Sequence, residues 1–181
     1  VTDDDRTRWD DRYAHRGPAR ADEVTMPTVF APYAALFPTA GQALDLACGQ
    51  GQVAVWLARR GLTTHGVDVS TVAVEQARDL ARRCGVTDRC RFDVVDLDDG
   101  LPAGPPAAVI VCHRFRDRRL DRPIMARLQA GGILAITALS GVGARPARFR
   151  VAAGELPAAF ADLDIVAAGE AAGEAWLLAR R

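Results

Sequence analysis

No lysine occurs among the 181 residues; all 23 basic side chains are arginine. That absence excludes any mechanism built on a Tyr-x-x-x-Lys pair, the constellation on which many nicotinamide-dependent oxidoreductases rely. Long hydrophobic runs are missing as well. The uncharged stretch Ala130 to Ala144 is broken by Thr137, Ser140 and four glycines, whereas a membrane helix needs roughly 20 apolar residues. The chain begins Val1-Thr2-Asp3-Asp4-Asp5, acidic where a secretory leader is basic. These features predict a soluble, cytoplasmic protein with no membrane partner. Four cysteines, Cys48, Cys84, Cys90 and Cys112, show neither CxxC nor Cys/His ligand spacing. No metal centre is expected, and the thiols read as small buried hydrophobes in a reducing compartment.

What is present is a globular composition, 49% hydrophobic and 25% charged, which sets the chain apart from disordered sequences. Its length suits one domain with a substantial core. The net charge is zero but unevenly spread. Residues 1–113 carry 12 Arg against 16 acids, residues 114–150 carry 9 Arg against 2 Asp, and the remainder is acidic again. Such a basic block is too local for a general nucleic-acid binder. The run Arg114, Arg116, Arg118, Arg119, Arg122 is either a solvated face neutralised by Asp117 and Asp121 or an anion-binding edge.

The hydrophobic pattern alternates between strand and helix. The first twenty residues are polar and helix-like, with Trp9 and Tyr13 four apart on one face, and a short apolar helix is expected over Val29 to Phe37. From there a buried strand, Ala43-Leu44-Asp45-Leu46-Ala47, runs into the loop Cys48-Gly49-Gln50-Gly51 and a helix that stops at Gly61. A strand over Thr63 to Val69 precedes a helix capped by Ser70. Strands Cys90 to Val95 and Ala107 to Cys112 follow. A helix opened by Pro123 and closed near Gly131 leads to strand Ile133 to Leu139. A helix over Glu155 to Asp162 and strands Ile165–Ala168 and Ala175–Ala179, joined by the short turn Gly169 to Gly173, end the chain. Crossovers of a dozen residues imply a parallel sheet with helices on both faces, closed by one antiparallel hairpin.

The chemistry gathers at strand ends. Gly49 and Gly51 let backbone lie against a ligand with no side chain between. Asp68, in Gly66-Val67-Asp68-Val69-Ser70, is placed to accept both hydroxyls of an adenosine ribose. Asp45 lies inside its strand, where a carboxylate would crowd a pyrophosphate but suits a cationic amino group. Its alternative is to orient the glycine loop through backbone N–H groups. The third strand ends in Val94-Val95-Asp96-Leu97, a carboxylate and an amide for an adenine edge, although Asp68 and Asp96 also read as simple strand-end caps.

Taken together, these residues resemble the class I S-adenosylmethionine-dependent methyltransferases, from about Gln42 to the C-terminus. Trp9-Asp10-Asp11-Arg12-Tyr13, Cys112-His113-Arg114-Phe115 and Gly154-Glu155-Leu156 are similar to the tellurite-resistance and thiopurine-type small-molecule branch. The resemblance implies a three-layer α/β, Rossmann-like fold with a seven-stranded sheet, mostly parallel with a C-terminal antiparallel hairpin. It implies an N-terminal helical lid over residues 1–40 and a methyltransferase domain over 41–181. S-adenosylmethionine would be held by Trp9, Tyr13, Asp45, Ala47, Cys48, Gly49, Gly51, Asp68, Val69, Asp96, Leu97 and Cys112. Trp9 and Tyr13 are either this lid or ordinary packing anchors. Catalysis would fall to His113 and Tyr13, with His113 as a general base or a substrate-orienting group. The methyl acceptor, expected to be a small anionic or soft nucleophile, would meet His113, Arg114 and Arg116. The family's third small loop residue is replaced by Gln52. The rival classes are a non-catalytic cofactor-binding module and a nicotinamide oxidoreductase.

Overall fold

The computed structural model describes residues 3–141 and 150–181; Arg145 and Arg148 of the basic block lie outside these. Strands β1 (Gln42–Leu46), β2 (Thr63–Asp68), β3 (Cys90–Val94), β4 (Ala107–His113), β5 (Leu128–Ser140), β6 (Arg150–Val151), β7 (Asp164–Ala171) and β8 (Glu174–Arg180) form one sheet. The order is β3-β2-β1-β4-β5-β8-β7, with β6 paired to β5. β1 to β5 are mutually parallel, and β8 alone runs against its neighbours β5 and β7. This is the expected α/β sheet with its closing hairpin. The two-residue β6, which extends the edge of β5 beyond the end of β4, was not foreseen.

Alternation along the central strands sorts side chains between two layers. Leu44, Leu46, Ile110, Cys112, Leu134 and Ile136 share one cluster with Ile124, Leu156 and Phe160, so helices α4 (Asp121–Arg127) and α5 (Glu155–Ala159) cover that face. Ala43, Val109, Val111, Ile133 and Ala135 pack instead with Phe30, Phe37, Val53 and Leu57, from a 3-10 segment over Thr28–Leu36 and from α2 (Gln52–Arg59). A third cluster, including Ala54, Val55, Val74, Leu80 and Phe92, binds α3 (Thr71–Arg83) to this layer. The Ser70 hydroxyl caps α3, accepting from the Ala73 N–H at 3.1 Å.

Three helix boundaries differ from expectation. The apolar segment after Pro27 is 3-10 rather than α, with Pro32 inside it unable to donate to an α-helical ladder. The helix near Pro123 ends at Arg127, because Leu128 is fully buried and already pairs with Ala107. β5 then shifts register before Ile133, with Gly131 at φ 74° taking up the irregularity. The helix at Glu155 stops at Ala159. The last turn is tighter than foreseen: Ala172 and Gly173, both at positive φ (51° and 79°), make the two-residue turn that matches strand twist.

Candidate active site

The carboxyl ends of β1, β2 and β4 open into a cavity of about 580 Å³, within the span of about 300–1,000 Å³ usual for small-molecule sites. The strand order reverses between β1 and β4, where open α/β sheets place their ligands. Of the residues singled out from sequence, Trp9, Tyr13, Asp45, Ala47, Cys48, Gly49, Asp68, Val69, Leu97, His113 and Arg114 line this one cavity.

The glycine loop is built by backbone conformation. Ala47, Gly49 and Gly51 all have positive φ (53°, 52° and 78°); Ala47 tolerates a region that side chains disfavour. A Cβ on Gly51 would lie 2.8 Å from the Ala77 Cβ and 3.0 Å from the Phe92 ring. Gly51 therefore lies behind the cavity wall, where it lets α2 start close to α3 and β3. A Cβ on Gly49 would come 2.7 Å from the Tyr13 hydroxyl.

Two carboxylates face this loop in different states. Asp68 accepts from the Gly49 N–H at 2.8 Å and the Ser70 N–H at 2.9 Å. Burial raises its pKa, and those two donors work against the rise. Asp45 is 1% exposed, and its Oδ2 has no hydrogen-bond partner. Burial, reinforced by the charge of Asp68, pushes its carboxyl up to about 8. An unpartnered buried carboxylate oxygen at a cavity wall is a place for a cationic group from a ligand.

The helix α1 (Asp3–Arg16) forms the opposite wall. Trp9 and Tyr13 stack with centroids 6.0 Å apart, and Arg12 lies over the Trp9 ring at 5.1 Å. Burial raises the Tyr13 pKa, so its phenol remains protonated at neutral pH. The helix is held by groups that sequence reasoning missed. Asp10 accepts from the Ser70 hydroxyl at 2.5 Å and the Val72 N–H at 3.2 Å. Gln50, buried inside the glycine loop, donates to the Gly17 carbonyl at 2.5 Å and to Gln76 at 2.7 Å, and Gln76 donates to the Tyr13 carbonyl at 3.3 Å. Asp10 stood in the Trp9–Tyr13 block without a role, and nothing local to Gln50 announces its partners.

His113 lines the same cavity together with Arg114, Phe115, Leu139 and Glu174, as do Met26 and Val29. His113 Nδ1 lies 2.8 Å from the hydroxyl of buried Thr137, and burial lowers its pKa, aided by Arg114. Arg114, at φ 56°, pairs with Glu174, which sequence reasoning also missed because β8 brings it there. Arg116 corrects an expectation. It is 3% exposed, absent from the cavity wall, and its guanidinium is shared by Asp121 and Glu155 above the Phe160 ring. Arg118 pairs with Glu155, and Arg119 with Asp98 and Asp117. The arginine run is mostly a neutralised framework. Asp96 caps the turn Leu97–Asp99 by accepting from the Asp98 N–H at 2.9 Å, and Cys112, fully buried, contacts the Phe115 carbonyl at 3.2 Å; neither lines the cavity. Among the described residues no cluster of His, Cys, Asp and Glu could hold a metal ion, and no helix is long and apolar enough to cross a membrane.

A family model described as a methyltransferase domain matches residues 43–132, the span from β1 into β5 that carries the glycine loop, Asp45 and Asp68. The chain belongs to the class I S-adenosylmethionine-dependent methyltransferases. This methyltransferase domain is 48% identical over 54 residues to methyltransferase GfsG from Streptomyces halstedii, 29% of this chain and 19% of that protein. The matched stretches span 19% to 32% of the length of four curated relatives. Among solved structures, TehB from Haemophilus influenzae aligns with TM-score 0.75 at 16% identity, over 96% of this chain and 67% of that one. A methyltransferase from Geobacter sulfurreducens in complex with S-adenosyl-L-homocysteine aligns with TM-score 0.64 at 24% identity, over 86% and 70%. Both likenesses establish the fold. The family's cofactor is S-adenosylmethionine, and the donor set here fits it: a buried unpartnered carboxylate oxygen for its ammonium and an Asp68 whose oxygens keep lone pairs for its ribose.

Proposed function

We propose that the chain methylates a small molecule, with S-adenosylmethionine lying along the glycine loop and the acceptor between His113 and the Met26–Val29 segment. The observation that carries this reading is the placement of Asp45, Gly49, Asp68, Leu97 and His113 on the wall of a single cavity. Asp45 would hold the ammonium, and Ala47, Cys48 and Gly49 the methionine backbone. Asp68 with Val69 would take the ribose, and Leu97, backed by Asp96, the adenine. When bound, the cofactor supplies an electrophilic methyl group, released as an acceptor lone pair forms the new bond and the C–S electron pair stays on sulfur. The residues align and desolvate that encounter, which such a transfer needs more than strong acid or base. Residues 1–40 act as a lid on the domain over 41–181, with Trp9 and Tyr13 closing over the sulfonium and Asp10, Gln50 and Gln76 holding the lid down.

Calorimetric titration tests the reading. S-adenosylmethionine and S-adenosyl-L-homocysteine should bind with one-to-one stoichiometry and NADH should give no heat. Asp68→Ala should weaken binding by about 1.5–3 kcal/mol, the scale of hydrogen bonds to a charged acceptor. It should also lower the melting temperature, because the Gly49 and Ser70 N–H groups lose their acceptor. NADH binding without a response to the sulfonium ligand would overturn the assignment, and an unchanged Kd in the variant would remove the ribose from Asp68.

A further inference from the structure

The hydrogen bonds around Thr137 determine which nitrogen His113 turns to the acceptor. Thr137 lies on β5, fully buried, with its hydroxyl between two groups. The Arg114 N–H donates to Thr137 Oγ1 at 3.0 Å, and also to the Thr137 carbonyl at 3.0 Å. The second group is His113 Nδ1, at 2.8 Å. A hydroxyl has one proton and two lone pairs. With a lone pair engaged by Arg114, its proton has one acceptor within reach among the described residues, and that is Nδ1. A ring donating through Nδ1–H would instead leave a buried O–H with nowhere to donate, which is costly. Nδ1 is therefore the acceptor, and the ring proton sits on Nε2. Because Nδ1 is turned into the sheet while the ring lines the cavity, Nε2–H is the edge left for a ligand.

We propose that His113 meets the methyl acceptor as a neutral hydrogen-bond donor through Nε2–H, so that the site selects acceptors presenting an oxygen lone pair there and attacking through an atom already free of its proton, such as a phenolate or carboxylate. This rests on the methyltransferase reading above for the identity of the ligand, whereas the tautomer itself does not. The other polar groups at this end conform. Glu174 is engaged by Arg114, and Met26, Val29, Phe115 and Leu139 give the wall apolar surface, with the hydroxyl-bearing Thr25 and Thr28 in the same segment as Met26 and Val29. A flat, largely apolar acceptor with one ionised oxygen suits such a wall. An acceptor of this kind leaves no proton to be removed during transfer, so His113 need not act as a base.

Long-range proton–nitrogen correlation on the ligand-free protein labelled with 15N-histidine reads the tautomer directly. His113→Gln identifies the His113 signals among those of the three histidines. The expected spectrum at neutral pH shows Nε2 protonated and Nδ1 bare, and Thr137→Val should mix the two tautomers. A wild-type ring protonated on Nδ1 would overturn the proposal. In a second arm, 4-nitrophenolate is titrated into protein saturated with S-adenosyl-L-homocysteine. The Nε2–H proton should move downfield with the phenolate and not with 4-nitroanisole, its methyl ether. A response equal for both probes, or none at saturation, would overturn the acceptor class. In steady state, loss of a general base would cost about 10²–10⁴-fold in kcat. His113→Gln, which keeps an N–H donor, should instead lose less than about tenfold, the scale of one hydrogen bond.

Discussion

The two ends of the cavity treat charge in opposite ways. Beside the glycine loop, Asp45 and Asp68 are buried without a cationic side chain bonded to either, Asp45 with an oxygen bonded to nothing. Around the segment after β4, Arg114, Arg116, Arg118 and Arg119 each have a carboxylate of the protein as partner. A buried charge compensated from within belongs to the framework, while a buried carboxyl such as Asp45, kept neutral by a proton for want of a cation, offers a place where a ligand can bring the missing partner. The arginines that open the basic block, Arg114 to Arg119, are thus engaged in holding the fold. The acidic pair, inconspicuous in any charge count, is what the proposed function makes the recognition element.

That contrast is open to attack by substitution. The largest effect is expected from Arg116→Ala, which strands Asp121 and leaves Glu155 to Arg118 alone, beside a buried gap. Breaking a buried ion pair on one side costs about 3–5 kcal/mol, so urea denaturation should show a loss of that order, with cofactor affinity in the folded fraction unchanged. A binding defect without a stability defect would return Arg116 to the site. Next comes Asp45→Asn. With a folded pKa of about 8, Asp45 is protonated in both states below about pH 4, and only in the fold between there and about pH 8. Stability of the ligand-free protein should therefore fall as pH rises through that window, by about 1.4 kcal/mol per unit. The variant should lose that slope and also bind S-adenosylmethionine more weakly; a retained slope would place the proton elsewhere. The smallest effect belongs to Arg114→Ala. Its side chain is 61% exposed, and exposed pairs contribute under about 1 kcal/mol. Stability and cofactor affinity should barely move, and any change should appear in the KM for the acceptor.

The same contrast decides what could be read without coordinates. Asp45, Gly49, Gly51 and Asp68 lie on one strand–turn–helix–strand passage, so local pattern rules place them together. The parallel sheet and its antiparallel closure were legible for the same reason, since strand length, turn residues and crossover length are local quantities. Glu174 and Thr137 are different. Thr137 reaches His113 and Arg114 through the pairing of β4 with β5, and Glu174 reaches Arg114 through that of β5 with β8, and no spacing in the chain encodes either meeting. Arg114 and Arg116 look interchangeable as text. Arg114 sits at a positive φ and turns toward β8, whereas two residues later Arg116 faces the layer of α4 and α5. Asp10 and Gln50 escaped for a related reason: their partners, Ser70 and Gly17, are 60 and 33 residues away.

The turn at Ala172 and Gly173 has a consequence for how such a chain diversifies. Glu174 follows it directly, yet the register of β8 is fixed along its length by β5 on one edge and β7 on the other. Extra residues inserted at the turn would bulge outward next to Glu174, which lines the cavity, rather than slide the strand. Insertions there can thus graft new acceptor-facing surface onto an unaltered sheet and glycine loop. Replacing Ala172 by Gly, which relieves the left-handed conformation, would leave the present acceptor wall in place. On the proposed function, variation in what is methylated and constancy in what donates the methyl group fall to separate parts of the chain, and the hairpin tip is where the first can change with little effect on the second.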